Sequence, residues 1–143
     1  MDIKVLIIGG NHHNALGVIR SLGERNIAPF VIIQCNDKKP YIQLSHYIRK
    51  CWIVSTESEV LDRLKKEAET LHGKKAILIA CADNLSSLVD MHYDELKQWY
   101  HLPGTEEHGR ITQLMDKERM SNLARKVGFN VPQSVAVNTI DEN

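Results

Sequence analysis

The chain has 143 residues, 43% of them apolar, and its 18 Lys and Arg balance 18 Asp and Glu. The length suits one domain, and the zero net charge excludes a general polyanion-binding surface, so we expect no nucleic-acid partner. No apolar run approaches the roughly 20 residues that span a bilayer, and three cysteines without framework spacing are typical of a reducing compartment, so we expect a cytoplasmic protein with no membrane contact.

Strand and helix signals alternate from the start of the chain. The apolar run Ile3–Ile8 predicts a strand buried on both faces, and residues 9–11 (Gly-Gly-Asn) form a turn signal. Apolar residues at helical spacing then predict a helix over Asn14–Arg25, with Asn14 as a possible N-cap. A strand at Phe30–Gln34 completes a β–α–β unit.

The same order repeats in the middle of the chain. After a polar stretch, a short strand is predicted at Cys51–Val54. Thr56 and Glu59 form a capping box that starts a second helix, and Gly73 is expected as its C′ residue. The spacing of the apolar residues between them predicts one buried face.

A third strand–helix pair follows at Ala76–Ala80, where Asp83 or Asn84 is expected to cap the helix. Buried strands that alternate with helices predict a doubly wound α/β fold. We therefore expect a mainly parallel, Rossmann-like sheet with helices on both faces.

The last part of the chain is predicted to be rich in helix. Asp116 is expected to cap a helix that Gly128 and Pro132 close, and one more strand is predicted at Ser134–Val137. The residues expected to face inward from this helix are Met120, Leu123, Ala124 and Val127.

Two loops could hold a ligand, because open parallel sheets bind ligands outside the carboxyl ends of their strands. Glycines allow close approach of the backbone, and a following helix N-terminus attracts an anion. The candidate substrate-binding residues are Gly9, Gly10, Asn11, His12, Asp83 and Asn84. Ordinary strand-to-helix turns without a ligand remain the alternative.

His12 and His13 are adjacent, and no nearby cysteine or carboxylate completes a metal-ligand set, so we expect no metal site. A hydrogen-bonding or substrate-contacting role for one of them is the better expectation. Residues 1–52 carry seven basic and three acidic side chains. From that excess we predict a mildly positive region beside the crevice, suited to small anionic substrates.

The C-terminal motif carries a family resemblance. The segment Leu114–Met120 (LMDKERM), followed by Leu123-Ala124, Gly128, Val131-Pro132 and Ser134, resembles the segment that enters the ATP-grasp fold. The opening VLIIGG, Ser45-His46-Tyr47, the run ILIACADN and the Leu102-Pro103-Gly104 break occur in the matching order. The whole chain thus resembles the pre-ATP-grasp domain of a carboxylate–amine ligase, of the carbamoyl-phosphate synthase large-subunit-like kind.

This resemblance implies a parent enzyme that uses ATP and Mg²⁺ to make an acyl phosphate, which an amine then attacks. It implies that Lys117 contacts ATP and that the crevice residues line the substrate side of the cleft. Residues 1–113 would form the pre-ATP-grasp domain, and 114–143 a connecting helix and first strand. The rest of the ATP-grasp domain would follow in cis after residue 143, so the chain alone is expected to be inactive, with a homodimer as one possible state.

Two other function classes remain open at this stage. A nucleotide-binding Rossmann domain of an oxidoreductase shares the fold, although the glycines do not follow G-x-G-x-x-G and the second strand ends without an acidic ribose partner. A non-catalytic interaction module also shares it. A receiver-like module would carry acidic residues after the first strand, where this chain has Gly-Gly-Asn.

Overall fold

The computed structural model describes residues 3–104 and 109–132. In chain order its elements are β1 (Val5–Gly10), α1 (His13–Gly23), β2 (Phe30–Gln34), a 3-10 helix (Tyr41–Leu44), β3 (Lys50–Val54), α2 (Glu57–Glu69), β4 (Ala76–Ala80), α3 (Asp83–Met91), α4 (Tyr93–Leu96), β5 (Tyr100–His101), α5 (Arg110–Met115) and α6 (Lys117–Lys126). The strands form one parallel sheet in the order β3-β2-β1-β4-β5. The predicted parallel α/β fold is confirmed.

Both faces of the sheet are buried, which explains the near-continuous apolar strands. Leu6 and Ile8 of β1 belong to a core that includes Leu64 of α2 and Leu85 of α3. Ile7, between them, belongs to a second core with residues of α1. Alternate side chains of one strand thus enter opposite layers, so neither face tolerates polar residues.

Strand boundaries agree with the sequence patterns at β2 and β4 and differ at β1 and β3. The strands β2 and β4 span the predicted residues, and β3 begins one residue earlier, at Lys50. In β1 the prediction of a turn from Gly9 was wrong, because Gly9 and Gly10 continue the ladder opposite Ile33 and Gln34. The chain leaves the sheet only after these glycines.

Two predicted helix caps were wrong. His12, rather than Asn14, is the N-cap of α1, since its ring Nδ1 accepts a long hydrogen bond of 3.5 Å from the Asn14 backbone N–H. Ala82, rather than Asp83 or Asn84, is the N-cap of α3, and no side chain caps it. Both expected caps therefore lie one or two residues inside their helices.

The capping prediction for α2 was correct at its start. Thr56 Oγ1 accepts a bond of 3.3 Å from the Glu59 N–H, and the Glu59 carboxylate accepts one from the Ser55 N–H at 2.7 Å. The helix ends earlier than predicted, with Thr70 as its C-cap, because the Thr70 hydroxyl donates to the carbonyl of Glu67 at 2.7 Å. Gly73, with a φ of +80°, belongs to the turn beyond.

The start and end of α6 also follow the prediction. Asp116 accepts a bond of 2.9 Å from the Arg119 N–H, and Gly128 has a φ of +87°. The Gly128 N–H donates to Arg125 and the Phe129 N–H to Ala124, which is a complete Schellman motif. The predicted strand at Ser134–Val137 lies outside the described residues.

The inward face predicted for α6 was wrong. Met120, Leu123 and Val127 are exposed, and no residue of α5 or α6 is buried. The helix spacing showed that these side chains share one face, but the part of the chain that the structure describes does not cover that face. The predicted division at residues 113 and 114 falls within α5 and stays a prediction.

The buried carboxylate of Asp90 holds α5 to α3. It accepts bonds from the Thr112 N–H at 2.9 Å and from the Thr112 hydroxyl at 2.7 Å. Burial alone would raise the pKa of Asp90, but these donors and the N–H groups of Ile111 and Gly109 outweigh it and keep that pKa below 3.8, its usual value. None of the described helices is long and apolar enough to cross a bilayer.

Candidate functional site

The candidate crevice lies at the carboxyl edge of the sheet, where β1 neighbours both β2 and β4. Chain connections run in opposite directions on the two sides of β1, so this edge is the switch point at which α/β sheets hold ligands. Gly10 lies opposite Gln34, the last residue of β2. The loop after β1 and the end of β2 therefore form one continuous rim.

Asn84 connects the loop after β4 to this rim. Its Nδ2 group donates to Gln34 Oε1 at 3.0 Å and to Glu57 Oε1 at 2.9 Å. These two bonds use both amide protons and hold the side chain beside the ends of β2 and β3. Asn84 is thus an amide bridge between the ends of three strands.

Asn11 forms a second polar pair at the other side of the rim. Its Nδ2 donates to Asp37 Oδ2 at 2.9 Å. Its Oδ1 is buried and has no hydrogen-bond partner among the described residues. A buried acceptor without a partner is uncommon, and it marks a place where a donor from a ligand would gain a bond.

His12 and His13 sit at the entrance of α1. Their rings lie 3.7 Å apart between centroids and are tilted by 39°. The His12 N–H donates to the Gly10 carbonyl at 2.8 Å, which together with its capping bond fixes the turn. His12 therefore has a structural role, and both rings are exposed.

The two glycines of the rim differ in how much space they have. A Cβ added at Gly9 would lie 3.0 Å from Ala15 Cβ and 3.3 Å from Cys81 Cβ. A Cβ at Gly10 would meet only the Gln34 carbonyl oxygen, at 3.9 Å. Gly9 thus permits the close packing of α1 against β1, whereas Gly10 leaves room on the ligand side.

Carboxylates dominate the charge at this edge. Asp37 follows β2, Glu57 opens α2 after β3, and Asp83 opens α3 after β4. Lys38 and Lys39 also follow β2, where they are exposed. The groups bonded within the rim are amides and carboxylates, so the rim suits hydrogen-bond donors and an amine better than a free anion.

The positive region predicted beside the crevice lies largely at the opposite edge. Lys4, Arg49 and Lys50 lie at the amino ends of their strands, and α1 carries Arg20 back toward the same edge. There the Lys4 ammonium lies 2.7 Å from a Glu67 oxygen. The prediction that the basic excess of residues 1–52 lies beside the crevice was therefore wrong.

The described residues contain no group of three or more His, Cys, Asp or Glu side chains that could hold a metal ion. Cys81 directly follows β4, and burial raises the pKa of its thiol. Burial likewise raises the pKa of Cys51, with a further contribution from Cys35. Both thiols stay protonated at neutral pH and are weak nucleophiles.

Lys117 is on a different part of the molecule from the crevice. It is the first residue of α6, where it is exposed, and α6 packs against α5. Asp90, at the end of α3 that lies away from the crevice, holds α5. The described contacts do not join Lys117 to the rim residues.

Sequence reasoning missed three rim residues: Gln34, Asp37 and Glu57. Each comes at or within three residues of the end of a strand, which is the rule that selected the loops after β1 and β4. Applied to β2 and β3 as well, that rule would have found them. Their pairing with Asn84 and Asn11 depends on side-chain geometry, which no spacing indicates.

Comparison with solved structures shows a likeness of fold. The fold is similar to the crystal structure of an L-amino acid ligase from Bacillus licheniformis, with a TM-score of 0.65 and 11% sequence identity. The similarity covers 92% of this chain and 32% of the ligase chain, so this chain spans about a third of that protein's length. No family model matches the sequence, and no curated protein does.

Proposed function

We propose that this chain is the N-terminal domain of an ATP-grasp carboxylate–amine ligase and that its rim contacts the amine substrate. The observation that carries the proposal is a parallel sheet, similar in fold to about a third of an L-amino acid ligase chain, with amides and carboxylates at its switch point. The sequence resemblance at Leu114–Met120 supports the same family independently of the fold. The carbamoyl-phosphate synthase-like subgroup rests on that resemblance alone.

The rim supports an amine as the group bound here. The carboxylates of Glu57 and Asp83 would attract a cationic ammonium, and Asn11 Oδ1 offers an unused acceptor. A ligase needs its amine held close to the acyl phosphate, because orientation supplies much of the rate. Gly10 leaves open space beside the rim through which the amine substrate would approach.

Lys117 is the proposed ATP contact. It is exposed as the first residue of α6, between Asp116 and Glu118. Its ammonium would pair with a phosphate group of ATP through a charge-assisted hydrogen bond. Mg²⁺ would be held by other parts of the ligase, since the described residues supply no ligand set.

The end of β2 favours the ligase over a nicotinamide-dependent oxidoreductase. A dinucleotide-binding domain places an acidic residue there to bind a ribose. Here the position is Gln34, an amide already bonded to Asn84. The neutral pair does not reproduce the ribose-binding arrangement.

Steady-state kinetics of the complete ligase with Lys117→Ala test the assignment. We expect the KM for ATP to rise about tenfold or more, the loss of one charge-assisted contact, with the KM for the amine little changed. Lys66→Ala, an exposed lysine on α2, is the matched control and should leave both constants unchanged. An unaltered ATP KM in Lys117→Ala would remove this residue from the site.

A further inference from the structure

A pocket of about 580 Å³ opens at the amino edge of the sheet, which is the edge opposite the crevice. We call it the amino-edge pocket, and its polar lining residues are Lys4, Asn26, Arg49 and Thr70. Its volume falls within the range of roughly 300 to 1,000 Å³ that small-molecule sites occupy. Lys4 and Gly10 are six positions apart in extended chain, at about 3.3 Å each, so the pocket lies roughly 20 Å from the rim. It is therefore separate from the proposed amine site.

Two cations of this pocket lie over the same aromatic ring. The Lys4 ammonium is 4.3 Å from the centroid of the Phe30 ring, and the Arg49 guanidinium carbon is 5.9 Å from it. The backbone of each cation is bonded to a strand or its start. The Lys4 carbonyl accepts from the Ile77 N–H at 2.9 Å. The Arg49 N–H donates to the Pro29 carbonyl, also at 2.9 Å. A ligand that lies near this ring would therefore meet both cations at fixed positions.

Two further cations lie next to the pocket. The Trp52 ring stacks on the Phe30 ring, with 6.1 Å between their centroids. The Lys50 ammonium is 4.9 Å from the Trp52 centroid, and the Arg63 guanidinium carbon is 5.1 Å from it. The two stacked rings thus join four cationic side chains into one basic region.

The negative charge at this edge does not balance the four cations. Among the described residues, the carboxylate that pairs with them is Glu67, which lies 2.7 Å from the Lys4 ammonium and 3.9 Å from an Arg63 nitrogen. The helices α1 and α2 also end at this edge, and each helix end contributes about half a negative charge. One carboxylate and two helix ends leave an excess of roughly two positive charges. The pocket therefore attracts an anion.

Arg49 is the cation best placed to bind that anion. Its side chain is exposed and, within residues 3–104 and 109–132, forms no ion pair. Lys4, in contrast, donates two of its three protons to Glu67 and Thr70, which leaves one for a ligand. A guanidinium presents a planar pair of N–H donors, and this geometry matches a carboxylate or a phosphate.

Apolar side chains form the other walls of the pocket. Ile3 and Ile27 line it although 51% and 38% of their surfaces are exposed, and Val5 and Ile77 line it as well. Covering these side chains with an aliphatic chain would be favourable. An inorganic ion would meet the cations but would leave the apolar walls in water.

We propose that the amino-edge pocket binds a small organic anion with an aliphatic chain. The carboxylate or phosphate head of this ligand pairs with Arg49 and with the remaining proton of Lys4. Its chain lies against Ile3 and Ile27. Neither the rim nor Lys117 takes part, so the inference stands whether or not the chain belongs to a ligase.

NMR titration of the isotope-labelled 143-residue chain tests the proposal. The probes are hexanoate and hexyl phosphate, and the comparison ligands are inorganic phosphate and hexylammonium. We expect at least one probe to shift the amide signals of residues 3–5, 26–28 and 49 to saturation, and the tighter of the two identifies the preferred head. Inorganic phosphate should bind at least about tenfold more weakly, because it leaves the apolar walls uncovered, and hexylammonium should not saturate these signals.

Variants locate the two parts of the pocket. Arg49→Ala should raise the Kd of the tighter probe about tenfold, the loss of one charge-assisted contact, and Arg49→Lys should recover part of that loss. Arg119→Ala, at an exposed arginine of α6, is the matched control and should leave the Kd unchanged. Ile27→Ser should raise the Kd of the tighter probe at least about threefold without changing that of inorganic phosphate, with Leu44→Ser as its control. Circular dichroism of each variant checks that its fold is retained.

Four results would overturn the proposal. In the first, neither hexanoate nor hexyl phosphate saturates the signals of the pocket. In the second, inorganic phosphate binds as tightly as hexyl phosphate, which would show an adventitious ion only. The third is equally tight binding of hexylammonium, and the fourth is an equal Kd for Arg49→Ala and Arg119→Ala.

Discussion

Position 9 requires glycine because α1 packs so close to the sheet that a larger side chain would not fit. An added Cβ would press on Ala15 and Cys81, both in a closely packed layer, whereas Gly10 has space beside Gln34. We expect Gly9→Ala to lower the free energy of unfolding by about 1 to 3 kcal/mol, as overpacking does. Gly10→Ala should change it by less than about 0.5 kcal/mol, as substitutions without such a contact do. Urea denaturation measures both, and equal losses would show that packing of α1 is not the cause.

At the same scale, Asp90 predicts a pH dependence of stability. Its pKa is lower in the folded chain than in the unfolded one, so its contribution is present above pH 3.8 and is lost as the pH falls through the folded pKa. Asp90→Asn should destabilise the fold at pH 7 by about 1 to 3 kcal/mol, because the donors of Thr112 lose a charged acceptor. It should also reduce the further loss of stability between pH 7 and pH 3.

Denaturant titrations at both pH values check this, with Asp62→Asn, an exposed carboxylate on α2, as the control. If the free energy of unfolding of both variants depended on pH as that of the unaltered chain does, the charge of Asp90 would not be the cause of the pH dependence.

At the scale of elements, the clearest prediction concerns the start of α2. Thr56→Ala removes the acceptor of the Glu59 N–H, and we expect a loss of about 1 kcal/mol in the free energy of unfolding. Ser58→Ala, at an exposed position within the same helix, should have no such cost, since alanine favours helix. A thermal melt that ranked the two variants in the opposite order would contradict the capping role of Thr56.

Elements were predictable from sequence where one local signal decided them. The residue limits of β2 and β4 follow from apolar runs, and the starts of α2 and α6 follow from Thr56 and Asp116. The cap of α3 was not predictable, because Asn84 uses its amide in contacts with residues 27 and 50 positions away. The spacing of residues along the sequence does not indicate whether a side chain bonds to a local or to a distant partner.

Other misses have different causes. The two-residue strand β5 and the one-turn helix α4 are too short to show periodicity. The exposed face of α6 was misassigned because a helical pattern indicates which residues share a face, not what packs on it. The candidate site divides in the same way: its loops were predictable from topology, and its side-chain pairs were not.

At the scale of the whole molecule, the zero net charge conceals three separate regions. Carboxylates and amides line the carboxyl edge of the sheet, and basic side chains gather at the amino edge. The groove between α5 and α6 is basic again, since Arg110, Arg119 and Lys126 line it, although it belongs to the part of the chain with an acidic excess. Position, rather than total charge, decides which ligand each region suits, so composition alone placed the positive region at the wrong edge.

The proposed function also predicts the behaviour of the chain by itself. Because Lys117 is the one ATP contact proposed here and the described residues hold no metal-ligand group, isothermal titration calorimetry of this chain should show weak ATP binding or none. Tight binding of NAD would instead support a dinucleotide-binding domain and contradict the ligase assignment.

Release of ADP by the complete protein is the measurement that tests the ligase proposal most directly. With ATP, Mg²⁺ and panels of carboxylates and amines, we expect ADP to form at a rate that depends on both organic substrates, together with the amide product. Asn84→Ala should raise the KM for the amine more than the KM for ATP, because Asn84 lies on the rim. ADP release that did not depend on an amine would contradict the account. So would the absence of ADP release with every carboxylate tested.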